Sequence, residues 1–225
     1  MQLTRRHFLS AAAAATAGIT AGCVANRTGL ATTGPLPAPQ PSPSAVAAAE
    51  PVVPPSTGNL LLDAALAALD THSIAARDKL AVVDFSRPSR EPRLHLVDVA
   101  SRTIERSWLV AHGKGSDPSG TGMLERFSNE PGSNASCSGA FLTADRYFGE
   151  HGNSQHLIGL DATNNNALDR AIVFHGADYV SPDLAVRQGR IGRSQGCFAV
   201  EPGEVAAVMD ALGPGLLVFA GKAAA

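Results

Sequence analysis

The chain has 225 residues, 44% hydrophobic and 17% charged, enough for one well-sized domain plus extensions, which excludes a wholly disordered protein. Lys and Arg number 18 against 20 Asp and Glu, for a formal charge of -2, and aromatics are 5%, so there is no basic field for nucleic acid or anionic membrane and little material for base stacking. Three cysteines, Cys23, Cys137 and Cys197, are too few for a disulfide scaffold and too scattered for a zinc site, so no metal or cofactor is expected.

Residues 1–25 read as an export signal. Thr4-Arg5-Arg6-His7-Phe8-Leu9 precedes an Ala-rich apolar run from Ala11 to Ile19, too short to span a bilayer, and the paired arginines resemble the twin-arginine type. Thr20-Ala21-Gly22-Cys23 resembles a lipobox with Thr20 in the usual aliphatic position. Cys23 is thus either a lipid anchor or a residue near a conventional cleavage site. Residues 26–57 are rich in Pro, Ala, Ser and Thr, with Pro35, Pro37, Pro39, Pro41 and Pro43 alternating with other residues. Such chain is extended and cannot bury enough to offset its ordering entropy, so it reads as a spacer.

Residues 58–225 read as the folded domain. Leu62, Leu66, Leu69 and Ile74 predict a helix from about Asn59 to Arg77, with Ser56 or Thr57 as cap. Strands are expected at Leu80–Phe85, around Leu94–Val97 and at Ile104–Val110, the last two joined by a turn at Ala100-Ser101-Arg102. The Gly/Ser/Pro-rich stretch from Gly113 to Ser138 reads as a loop long enough to be functional. Further strands are expected at Gly139–Thr143, Leu157–Leu160, Ala171–Phe174 and Gly215–Phe219. A helix is expected at Pro202–Leu212, opened by the proline and closed by Gly213. Many strands and few helices predict a mainly β barrel or sandwich with peripheral helices.

The chemistry concentrates in Ile172-Val173-Phe174-His175-Gly176-Ala177 and Gly192-Arg193-Ser194-Gln195-Gly196-Cys197. A thiol attacks as thiolate, and an imidazole beside it lowers its pKa and carries the proton. Gly196 permits a sharp turn that aims backbone N–H groups at an oxyanion. A bare Gly-Cys pair is more often a buried structural cysteine; the surrounding pattern changes that balance. His175-Gly176-Ala177-Asp178-Tyr179-Val180 followed by Gly192–Cys197 resembles the murein L,D-transpeptidase catalytic domain family, of YkuD-like fold. The same resemblance is carried by Val83-Asp84-Phe85-Ser86, Ala111-His112-Gly113-Lys114-Gly115, Phe127-Ser128-Asn129, Pro131-Gly132-Ser133, Tyr147-Phe148-Gly149-Glu150-His151-Gly152 and Leu157-Ile158-Gly159-Leu160, so it runs from about Leu60 to Ala220.

The resemblance implies a cysteine acyl-transferase of the cell wall acting on peptidoglycan stem peptides, with carbapenems as acylating inhibitors; the signal, spacer and lipobox-like segment place it in the periplasm or beyond, and a monomer is expected. Cys197 would be the nucleophile and His175 the base, oriented by the Gly176 carbonyl. The amides of Gln195, Gly196 and Cys197 would form the oxyanion hole, with Ser194 and Arg193 shaping the turn and the groove, to which His151 and Tyr147 would add. A low-pKa thiol at Cys197 is expected. His112 is a further groove candidate, and Cys137 reads as a small residue near the site, the alternative being a regulatory disulfide that would block Cys197. Two departures stand out: Gln195 where many relatives have His, which leaves His175 as the sole base, and Phe198 where proline is usual, which reads as a packing change. An L,D-carboxypeptidase with water as acceptor shares the acyl-enzyme, and a silent wall-binding module would need neither Cys197 nor His175.

Overall fold

A computed structural model describes residues 59–223. The expected export signal, Cys23, the spacer and the caps at Ser56 and Thr57 lie outside the described residues. The described part opens with helix α1 (Leu60–Thr71), whose cap is Asn59: its side chain accepts from the amides of Leu61 and Leu62. The helix ends earlier than the expected Arg77. Ser73 turns left-handed (φ 51), and the Ile74 amide donates back to the Leu69 carbonyl, closing the helix with a serine where glycine usually stands.

The strands are β1 (Lys79–Asp84), β2 (Leu94–Asp98), β3 (Thr103–Trp108), β4 (Gly139–Gly149), β5 (Gly152–Gly159), β6 (Val173–Gly176), β7 (Phe198–Val200) and β8 (Leu217–Gly221), with helices α2 (Pro182–Gln188) and α3 (Val205–Leu212). They form one mixed sheet ordered β3-β2-β1-β8-β4-β5-β6-β7. The mainly β architecture with peripheral helices is as expected.

Strand β1 shows why its sequence is continuously apolar: both faces are buried. Ala81 and Val83 face the main core, while Leu80 and Val82 face a second layer under α1. That helix contributes Leu61, Leu62 and Leu69 to the layer, each worth about 1.5–3 kcal/mol when removed from water.

The two ends of the sheet share one core. Phe198 on β7 packs at ring-centroid distances of 5.9 Å from Phe85, 5.5 Å from Phe141 and 5.5 Å from Phe174, the space a proline would leave empty. The chain leaving β3 then runs beside β7: the Ala111 amide donates to the Ala199 carbonyl, and Gly113 pairs with Ser194. Edge strands β3 and β7 are thereby brought together.

Three elements differ from expectation for local reasons. The β4–β5 hairpin is longer than its apolar segments, because its outer arm is solvated, with Phe148 88% exposed, and carries no alternation to read. Helix α2 has sound caps, with Ser181 Oγ accepting from the Leu184 amide and Gly189 left-handed at φ 67, but buries only Ala185 and so lacks an apolar stripe. Helix α3 begins at Val205, after the turn containing Pro202. The Glu204 carboxylate does not cap it, since it accepts instead from Trp108 Nε1 and Arg106, both at 3.0 Å.

Candidate active site

Strands β6 and β7 are parallel neighbours, so the chain between them must cross back over the sheet, which α2 and the turn after it accomplish. The crossover returns Gly192–Cys197 to the C-terminal end of β6. A cleft of about 610 Å³ opens there, lined by His175, Gly176, Arg193, Ser194, Gln195 and Cys197, with His151 reaching in from the two-residue turn of the β4–β5 hairpin.

The turn before Cys197 is braced from within. Ser194 Oγ donates to the Cys197 carbonyl at 2.7 Å and accepts from the Gly196 amide at 3.0 Å. The Gly196 N–H is therefore turned inward, contrary to the expected three-amide oxyanion hole, and the amides of Gln195 and Cys197 are the two left for that role. Gly196 has φ +127, and a Cβ built on it would lie 2.7 Å from Ile172 and 2.9 Å from the Ala135 carbonyl oxygen, so the turn needs glycine. Loop 113–138 braces the turn from outside. Buried Ser136 Oγ accepts from the Gly113 amide and donates to the Gly196 carbonyl, both at 3.0 Å.

His175 sits on β6 with its ring largely buried. Its Nδ1 lies 3.0 Å from the Gly176 carbonyl oxygen, which can only accept, so Nδ1 carries the proton and Nε2 presents a lone pair. Burial lowers its pKa; the Gly176 bond opposes this, and nearby His151 adds to it. The ring is a neutral imidazole ready to take a proton. His151 stacks on it, with centroids 4.4 Å apart and planes at 25°.

Cys197 is half-buried, and its Sγ donates to the Ala171 carbonyl at 3.3 Å. Burial pushes the thiol up, opposed by the Val173 amide and by Arg170. Burial thus acts against the expected low-pKa thiol, while the Val173 amide and Arg170 act for it. Ala171, which aims this carbonyl, has φ 52, an uncommon conformation for a residue with a Cβ.

The structure separates the other candidates. Arg193 faces the cleft, with Nη1 donating to the Asp117 carbonyl. Tyr147 is outside the cleft wall; its ring stacks on His156 at 4.2 Å and 13°, farther along the hairpin. His112 is not in the groove either. It is fully buried behind the site, with Nδ1 accepting from Arg93 at 2.7 Å and Nε2 3.5 Å from Asp117 Oδ2. Cys137 is a fully buried free thiol whose pKa burial raises.

Sequence reasoning missed Glu150 and Asn153 on the hairpin, Tyr179 on the cleft wall, and Arg170 with Ala171 behind the thiol. Tyr179 had a signal, standing in the same motif as His175. Burial first, then the neighbouring Cys197, pushes its hydroxyl up to about 12. Arg170 had none.

A mostly β domain whose crossover turn brings a cysteine into the same cleft as an oriented histidine defines the class of protein. The L,D-transpeptidase catalytic domain model matches residues 57–220, and the chain belongs to that family. A comparison with curated proteins returns no match. Among solved structures, the chain is similar to the L,D-transpeptidase from Mycobacterium smegmatis, at 13% identity and TM-score 0.38, covering 64% of this chain and 59% of that one. It is also similar to an L,D-transpeptidase from Xylanimonas cellulosilytica, at 16% identity and TM-score 0.38, covering 69% and 68%. A third is the helical cell shape determining protein Pgp2 from Campylobacter jejuni, at 11% identity and TM-score 0.42, covering 66% and 49%. The chain thus spans little more than half the length of the Mycobacterium smegmatis structure.

Proposed function

We propose that the protein is a cysteine L,D-transpeptidase acting on peptidoglycan tetrapeptide stems. The observation that carries this reading is the His175 tautomer: the Gly176 carbonyl holds the proton on Nδ1 and leaves Nε2 as a base in the cleft that also holds Cys197. In the reaction, the Sγ–H bond turns from Ala171 toward His175, and Nε2 takes the proton as Sγ attacks the carbonyl at the L-centre of the diamino acid. The amides of Gln195 and Cys197 meet the developing oxyanion. The C–N bond to D-Ala then breaks, and His175 returns its proton to the leaving amine. The acyl-enzyme thioester passes to an amine of a neighbouring stem, giving a 3→3 cross-link and restoring the thiol.

Mass spectrometry of products from purified tetrapeptide muropeptides tests the reading. A dimer with loss of one D-Ala is expected. Tripeptide alone would mean a carboxypeptidase with water as acceptor, and unchanged substrate would leave a binding module. The paired arginines and Cys23 support an extracytoplasmic, lipid-tethered placement. Radioactive palmitate should label the parent and not Cys23→Ala; a mature N-terminus downstream of Cys23 would rule out the anchor.

A further inference from the structure

The Cys197 thiol donates to a carbonyl and burial disfavours its charge, so a cation close to it would favour the thiolate alongside His175. The turn entering β6 contains a candidate. Arg170 is held by neutral acceptors only: Nη1 donates to the Ser128 carbonyl at 2.8 Å, and Nη2 to Ser133 Oγ at 3.2 Å and the Ala135 carbonyl at 2.5 Å. Among the described residues no carboxylate lies within ion-pair distance of it. Its positive charge is fixed in place and not neutralised.

That charge stands directly behind the nucleophile turn. A Cβ on Gly196 would lie 3.3 Å from Arg170 Nη2, and the next residue, Ala171, is the one whose carbonyl holds Sγ. The ionisable groups around the thiol are Arg170 from this turn, His175 on β6, Tyr179 beyond β6 and Cys137 from loop 113–138, with Glu150, His151, Asp178 and Arg193 farther along the cleft wall. His175 has its pKa lowered by burial, Tyr179 and Cys137 have theirs raised, and of the two arginines Arg193 has Asp117 Oδ2 3.9 Å away, whereas Arg170 has no carboxylate partner among the described residues.

We propose that Arg170 is an electrostatic positioning residue for the nucleophile, its guanidinium stabilising the Cys197 thiolate from behind the Gly196 turn while it ties loop 113–138 to that turn. The inference deepens the cysteine-transferase reading and rests on Cys197 being the nucleophile. Its chemistry does not depend on the acceptor. It assigns the thiolate two partners with separate tasks: His175 moves the proton, and Arg170 favours the charge left behind.

The test is the pH dependence of iodoacetamide alkylation on the full chain, with the adduct on Cys197 quantified by peptide mass spectrometry. Arg170→Gln keeps hydrogen-bonding capacity and removes the charge. It should move the alkylation midpoint to higher pH and slow the reaction at neutral pH about three- to tenfold, the order expected for losing one nearby charge in a half-buried site. Arg170→Lys keeps the charge and loses the planar fork, and should stay near the parent midpoint. A purely structural role would shift both variants together, or neither, and either result overturns the proposal. If Arg170→Gln does not fold, Arg170→Met takes its place as the variant without the charge: a raised midpoint beside a parental Arg170→Lys supports the proposal, and a parental midpoint in both refutes it. Alkylation needs no peptidoglycan, so loss of the transferase reading through muropeptide assays would leave this measurement standing on its own.

Discussion

The imidazoles of His151 and His175 lie stacked in the cleft, 4.4 Å between centroids, one from a hairpin turn and one from a strand far along the chain. His151 affects His175 twice in the same direction, covering it from water and placing a titratable neighbour against it. His151→Ala should therefore raise the His175 pKa and move the acid limb of the kcat/KM profile to higher pH. His151→Phe keeps the cover without the charge and should shift it less. NMR titration of the His175 ring reads both; no movement in either variant would dissolve the coupling.

His175 and Gln195 should separate cleanly in turnover. General acid–base assistance is worth about 10²–10⁴ in rate, so His175→Ala should lower D-Ala release by about that factor. Gln195 lends its backbone, so Gln195→Ala should cost less than about tenfold. Equal losses in the two variants would mean that the Gln195 side chain takes part in the chemistry.

Burial divides the two thiols of the described domain. Cys197 is accessible from the cleft and Cys137 is not. A carbapenem should add one adduct by intact mass, absent in Cys197→Ala and retained in Cys137→Ala. An adduct surviving Cys197→Ala would place the nucleophile elsewhere.

Acid should destabilise the fold through His112. Burial first, then the Arg93 cation, lowers its pKa to about 4 from 6.5, so the unfolded chain binds the proton more readily. The sign follows: the contribution is present above pH 6.5 and is lost as pH falls toward 4, amounting to about 3 kcal/mol in full. His95 and His175, both lowered chiefly by burial, act in the same direction. Denaturant midpoints should fall from pH 7 to pH 5, and His112→Gln should flatten that slope without abolishing it. An unchanged slope would mean that His112 takes up its proton equally readily in the folded and unfolded chain.

The fold class, the continuous core strand β1, the need for glycine at position 196 and the presence of His175 and Cys197 in one cleft were all legible in the residues. Each is recorded locally: two-sided burial as an unbroken apolar run, a left-handed turn as glycine, a strand end as a shift in period. What lay beyond local pattern was which loop side chains meet. His112 and His151 have similar glycine-flanked surroundings, yet the first is drawn under the sheet because its carbonyl accepts from the Ser194 amide, while the second is carried over the cleft by a hairpin. Tyr147 belongs to that same hairpin but turns to His156 instead. Arg170 gains its place from three acceptors more than thirty residues away, and the Cys197 thiol from the carbonyl beside it. The sequence alone determined the fold class and most of the core strands, and it singled out His175 and Cys197 as the candidate pair. Only the tertiary structure decided which charges and rings surround that pair, because long-range packing brings them there and leaves no periodicity along the chain.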